Sequence, residues 1–594
     1  MRELAFRIVS PEFVVTPQCH GNPQLFVGPE DQEYDRGDYA ERSNEGRFSV
    51  VDDDELRKRL KLLRDQFDAG KIVISRHLAD DFVASFSAVR TGRDGQIDLS
   101  TVDARVRSMA MVAAMMKDRD DTKAAASLQD IQNAFFSRVT AMFQEAHSLM
   151  LRHRGNPQSF SWAMSRDERH VDQNYPLVEQ FVSELKEFWA VMSEPVRYHL
   201  QDLNALKGVF GGDLFPSYER NIASSTALYL DTIILTDPFM NSYDLFSRWP
   251  KAETVRMFLK HGLQLMNYRD LVLADLKPAI VVILPFESAH DDSYRDSLFS
   301  AAGTKALRHA EKLFDRQFDE IDELHSFLGD LEQAETLVAS LVDASRLLFD
   351  TEWNGDKVSQ IMRALKDTAP ITGDHVGGLV FNQCFGRMSQ ATDLSWKSHS
   401  LGGIPLIDAP TSWQYYKWSL EYGAVTDEKN DVPLHLSRGM QRLADTDMQW
   451  LGNVPAEALI AIRKEGALEE IRGLISKGVE DVVALNPSNF FRSADKIYDN
   501  LEAAFSDHQE KISQLKAKKW KFASNDIGSW LVAGTVEVTA AILGTPAWGL
   551  ASVAVSQLTD APKIRDIPKT VKALKAESDA LSNSAAGMLF KLRG

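Results

Sequence analysis

Cysteine is almost missing from this chain: its 594 residues hold only Cys19 and Cys384, neither in a CxxC or Cys/His spacing. That argues against a disulfide framework and a structural zinc site, and a reducing, cytoplasmic setting is the expectation. The common catalytic signatures are missing as well. No GxxxxGK[ST], no GxGxxG behind an apolar run, no HExxH and no GxSxG occurs, so P-loop hydrolysis, zincin proteolysis and the esterase elbow lose their main support. Positive charge is scarcer than negative, 67 Lys and Arg against 85 Asp and Glu for a net charge of −18. Nucleic acid is therefore not expected as a general partner. Long apolar runs are scarce too. The opening "MRELAFRIVSPEFVVTPQ" lacks the apolar core and cleavage site of a secretory signal, and no 18-residue window is apolar throughout. Neither an export signal nor an obligate membrane span is expected.

What remains is a long, 44% apolar chain able to bury several cores. Residues 1–50 mix Pro, Gly and acids ("GPEDQEYDRGDYAERSNEGR") and read as an irregular arm. Helical periodicity begins at "DDDELRKRLKLLRDQF", and "STVDARVRSMAMVAAMMKD" opens with a Ser/Thr cap. Two longer amphipathic segments follow, so residues 51–220 are expected to form a helical domain.

Residues 221–300 differ. "LYLDTIIL" and "AIVVILP" are short β-branched runs ended by "TDP" and "PFE", and between them Val255, Phe258, Leu259, Leu263 and Met266 fall at helical spacing. This predicts a small βαβ insert with parallel strands; "GGIPLID" at 402–408 can add a third strand. Residues 301–485 read as helical, with a heptad-like seam from Leu307 through Leu324 to Val342 that predicts one long or two nearly continuous helices over 303–349. Residues 486–594 comprise a long helix, with Ile497, Leu501, Phe505, His508, Ile512 and Leu515 on one face, leading into a hydrophobic helical hairpin. The expected fold is thus mainly α and multidomain.

Two functional readings compete. The first uses acids around the strands: Asp231 and Asp237 on the first, Glu287 after the second, with Asp291, Asp292 and Asp408 nearby. Converging carboxylates can hold Mg²⁺ and organise phosphodiester hydrolysis. "LYLDTIIL" resembles the opening strand of PIN-domain nucleases, an apolar strand carrying an Asp followed by Thr, over about eight residues; the set offered by the acids around the strands is Asp231, Asp237 and Glu287. Alternatively, Asp237 and Glu287 sit in turns and cap helices. His290 beside Asp291, and His170 near Asp172, belong to polar loops without a complete ligand set. Trp413, Tyr415, Tyr416 and Trp418 fit core packing or a pocket wall.

The second reading uses "IGSWLVAGTVEVTAAILGTPAWGLASVAVSQL", residues 527–558, whose sole formal charge is Glu537. It lies behind Lys516, Lys518, Lys519, Trp520 and Lys521 and breaks at Gly544, Thr545 and Pro546. From residue 511 onward, 12 Lys and Arg face 6 Asp and Glu, a net +6 that leaves −24 on residues 1–510. Cationic anchors with interfacial aromatics such as Trp530 and Trp548 suit an anionic membrane surface, with Val538 in the apolar face. In composition the stretch resembles the hydrophobic helical hairpin of pore-forming colicins, which implies a hairpin sheltered in a soluble helical body. Spans of 17 and 12 residues and Glu537 at mid-depth favour interfacial insertion over a two-pass span. The sequence therefore points to a non-enzymatic cytoplasmic binding or effector protein, such as a bacterial antiviral or toxin-like component. Its expected partners are a protein and an anionic membrane surface, with self-association left open. No cofactor is expected; the alternatives are the Mg²⁺-dependent nuclease and a helical assembly scaffold.

Overall fold

The computed structural model describes residues 52–70, 72, 76–213, 221–289, 291–349, 355–372, 375–423, 434–436, 438–439, 441, 453–481, 490–520, 576–577 and 579–593, with residues 76–81, 367–372, 490–491 and 515–520 as backbone only. The N-terminal arm, His290, Lys521, Trp530, Val538, Trp548 and the whole stretch 527–558 lie outside the described residues. The chain divides into two units, residues 1–125 and 126–594.

In the first unit, helix Asp53–Asp68 carries Asp53, Asp54 and Glu55 in its first turn, where the helix dipole favours negative charge. Its buried Leu56, Leu60 and Leu63 recur at helical spacing and pack with Val106, Ala110 and Ala113 of helix Ala104–Ala125. That second helix starts differently from expectation. Its first-turn amides of Arg105 and Val106 donate to Asp103 at 2.7 and 3.2 Å, while Ser100 and Thr101 belong to a preceding single 3₁₀ turn.

The second unit is helical around one parallel sheet. Strands β1 (Lys207–Phe210), β2 (Thr232–Leu235), β3 (Val281–Ile283) and β4 (Gly403–Leu406) are ordered β3-β2-β1-β4. All three pairings are parallel, with Ile233 beside Val281, Val209 beside Ile234 and Phe210 beside Leu406. The expected βαβ unit is present: helix Lys251–Met266 connects β2 to β3 and buries Val255, Phe258, Leu259, Leu263 and Met266. The apolar run at 402–408 supplies β4. The sheet is not confined to residues 221–300, because β1 and β4 come from either side of that segment.

Helices Leu128–Arg152 and Glu168–Asp202 bury Phe135, Phe143, Phe181 and Trp189 in the core that contains the sheet. Helix–helix approach is close there. An added Cβ on Gly262 would collide with the Phe143 ring, so Gly262→Ala should cost about 1–3 kcal/mol through overpacking. Urea unfolding of that variant is the check.

A second core gathers Ala306, Leu313, Leu324, Leu337, Ile361, Leu379 and Tyr415. The expected continuous helix over 303–349 is not observed. Helix Asp292–Phe314 ends at Asp315, whose left-handed backbone (φ 49°) turns the chain. Shorter helices Ile321–Gly329 and Ala334–Ser340 follow, each with its apolar face in the same core. Tyr415, Tyr416 and Trp418 are buried on helix Pro410–Gly423, so they serve core packing.

Toward the C-terminus the two short helices are Ala456–Lys464 and Leu468–Ser476, divided at Gly466 with φ +70°. Helix Phe490–Trp520 follows and buries Ile497, Leu501, Phe505 and His508.

Candidate functional site at the carboxyl edge of the sheet

Parallel pairing aligns all four carboxyl ends. Beyond β1 come Gly211, Gly212 and Asp213; beyond β2, Thr236 and Asp237; beyond β3, Leu284 to Glu287; beyond β4, Ile407 and Asp408. The strand order reverses direction between β1 and β4, the place where open parallel sheets hold ligands. Asp213 stands there. Arg387 donates to Asp213 at 2.7 Å and to Ser412 at 2.7 Å, and the Ser412 hydroxyl also bonds Asp213. Gly212, at φ +86°, lets the chain turn under Ile407 and Leu394.

Asp237 is fully buried. Its carboxylate accepts from Trp189 Nε1 at 2.6 Å and from the Phe239 amide at 2.8 Å, capping the short helix Pro238–Asn241. Burial dominates these bonds and pushes its carboxyl up to about 6. A carboxyl raised in the fold holds its proton there while the unfolded one has lost it. Its contribution is present at low pH and lost as pH rises through about 6. His309, pulled down to about 4 by burial, acts oppositely, since its contribution is lost as pH falls below the ordinary histidine range. The stability difference between wild type and Asp237→Asn should therefore shrink by on the order of 3 kcal/mol between pH 4 and pH 7.5. Urea titrations at both pH values measure it; a difference that grows with pH would contradict the assignment.

Glu287 forms an ion pair with Arg197 of helix Glu168–Asp202. Beside them a small cavity is lined by Arg197, Leu284, Pro285, Glu287, Lys397 and Ser400. Lys397 donates to the Leu284 carbonyl at 2.6 Å and lies 4.3 Å over the Phe286 ring. One turn earlier on helix Arg387–Ser400, Asp393 accepts from Ser288 at 2.7 Å and Tyr294 at 3.0 Å. Burial lowers the Lys397 ammonium and raises the Asp393 carboxyl, and each opposes the other's shift by its charge. This network ties the end of β3 to helix Arg387–Ser400 and to Tyr294 of helix Asp292–Phe314. Sequence reasoning missed it, although Asp393 and Lys397 stand at the i, i+4 spacing of a helical ion pair.

Asp231 does not join Asp237 and Glu287. It precedes β2 and so stands at the amino end of the strand, where it accepts from the Leu206 amide at 2.7 Å and pairs with Arg472 at 2.8 Å and Arg463 at 3.4 Å. The expected triad of carboxylates is therefore split between opposite ends of the sheet. Asp291 caps helix Asp292–Phe314 through the Tyr294 amide at 2.9 Å, and Asp292 pairs with Arg295. His170 contacts Asn174 on its own helix. Among the described residues, no group of three or more His, Cys, Asp and Glu is placed to hold a metal ion.

Of the membrane-facing candidates, Lys516, Lys518, Lys519 and Trp520 lie in the last turns of helix Phe490–Trp520. No helix among the described residues is long and apolar enough to cross a membrane. Comparison with protein-family models, with curated proteins and with solved structures finds no match for the chain.

Proposed function

We propose that the chain is a non-enzymatic binding and effector protein. Its helical body recognises a protein partner, and residues 527–558 act at an anionic membrane surface. The observation that carries this reading is the polarisation of the sequence: +6 beyond residue 510 against −24 before it, with the cationic part surrounding a 32-residue stretch whose sole charge is Glu537. A permanently exposed apolar patch of that length would favour aggregation, so the body shelters it until partner or membrane charge releases it.

The acids of the nuclease alternative support the same preference. Asp237 and Glu287 share the carboxyl edge, but Asp237 is committed to Trp189 and a helix cap and Glu287 to Arg197. Asp231 is neutralised by two arginines at the other end.

The test is flotation and dye leakage with anionic and neutral liposomes. Changing Lys516, Lys518, Lys519 and Lys521 to Glu should abolish flotation with anionic vesicles, because each surface lysine contributes about 1 kcal/mol and the change reverses its sign. Val538→Asp should reduce leakage while leaving the body folded. A wild-type protein that ignores anionic liposomes would put the assembly-scaffold reading first.

A further inference from the structure

A lysine deep in a fold ordinarily has a carboxylate against it. Among the described residues, none pairs with Lys397. The residue is 6% exposed and its ammonium donates only to main-chain carbonyls, Leu284 at 2.6 Å and Pro285 at 3.4 Å. Asp393, one turn earlier on helix Arg387–Ser400, is committed to the Ser288 and Tyr294 hydroxyls instead. The pair of carbonyl acceptors matches the pair of protons on a free amine, so the nitrogen can shed its charge and keep both bonds. Burial favours that form by lowering the ammonium; the Asp393 charge opposes it and the Arg197 charge adds to it.

The amine also borders empty space. Lys397, Leu284 and Pro285 line the small cavity beside the Arg197–Glu287 ion pair, and Leu401 extends its apolar wall. There is room for about one water-sized molecule, which excludes sugars, nucleotides and amino acids. A free amine on a small, largely apolar cavity with a guanidinium in its wall suits an electrophile that is neutral on entry and anionic once bound. Carbon dioxide has those properties.

We propose that Lys397 is a carboxylation site: its side-chain nitrogen takes up carbon dioxide, and Arg197 holds the carbamate that forms. The ammonium first gives a proton to water. The nitrogen lone pair then forms the C–N bond, one C=O pair moves onto oxygen, and a second proton leaves for water, so a cation becomes an anion. The remaining N–H keeps the 2.6 Å bond to Leu284, and the longer contact to Pro285 is given up. Arg197 has several N–H donors in a planar fork and can serve Glu287 and the carbamate together. Reversal needs a proton back on a nitrogen that lies in the interior, which slows loss of the carbamate relative to one on an exposed lysine.

The test uses the folded full chain equilibrated with carbon-13 bicarbonate at neutral pH. The carbamate region of the carbon-13 spectrum should hold a resonance that a folded Lys397→Met variant lacks. Trapping with a triethyloxonium salt, digestion and mass spectrometry should place the label on Lys397, with far less on Lys58, whose side chain is 76% accessible. Arg197→Gln should lower the trapped fraction by about tenfold, the worth of one charge-assisted hydrogen bond, and Arg197→Lys, which keeps the charge, should restore part of it. Identical spectra for wild type and Lys397→Met would overturn the proposal, as would label on Lys397 no greater than on Lys58. Undiminished label in a folded Arg197→Gln would overturn the role of Arg197. If Arg197→Gln does not fold, the wild-type ratio of label on Lys397 to label on Lys58 decides.

Discussion

Asp231→Ala will lower the unfolding free energy by about 3–5 kcal/mol, the range for removing one partner of a buried ion pair. Arg463 and Arg472 converge on this carboxylate, and the Arg463 side chain is only 8% exposed. Burial already pulls the Arg463 guanidinium down to about 10. Without the Asp231 carboxylate, Arg463 keeps the main-chain carbonyls of residues 230 and 231, and Arg472 keeps the Tyr229 carbonyl and the exposed Glu469. The Leu206 amide loses its 2.7 Å acceptor as well. Equilibrium urea unfolding measures the loss. A change below about 1 kcal/mol, the scale of an exposed pair, would mean that Asp231 is free for another task, and loss of a specific Mg²⁺ affinity in the same variant would revive the nuclease reading.

Leu324→Asp should destabilise the second unit by more than about 4 kcal/mol, since it places an unpaired carboxylate in an apolar core. Leu324 is fully buried among Leu328, Leu313 and Leu379. Leu324→Ala separates the two contributions, because truncation alone should cost about 2–5 kcal/mol. Thermal unfolding of Leu324→Asp indistinguishable from wild type would remove this helix from the core.

How far the sequence spoke for the fold can be argued strand by strand. β2 and β3 were legible because their β-branched runs end in turn residues. β1 was not, since "KGVF" opens with Lys and Gly. Its Lys207 is buried by donating to the Leu200 and Leu203 carbonyls at 2.8 and 3.0 Å. Gly208 is needed because a Cβ would lie 2.5 Å from both Leu230 and Leu406. Both reasons depend on neighbours that periodicity does not see.

The seam over 303–349 misled in a related way. Helical periodicity reports which face is apolar, and the short helices after Asp315 keep that face in one core while changing direction. The site followed the same pattern. The turn-and-cap role of Asp237 was readable from "TDP", whereas the arginines on Asp231 come from more than 230 positions away in the chain.

The central claim, that residues 527–558 act at an anionic membrane, is tested most directly by a fluorophore at Val538→Cys in the full chain and a nitroxide quencher carried on the lipid. Anionic vesicles should bring position 538 within reach of quenchers near the headgroups, more than quenchers at the bilayer centre, and neutral vesicles should leave it unquenched. Fluorescence unaffected by lipid-borne quenchers in anionic vesicles, with the protein folded and its lysines intact, would contradict the claim.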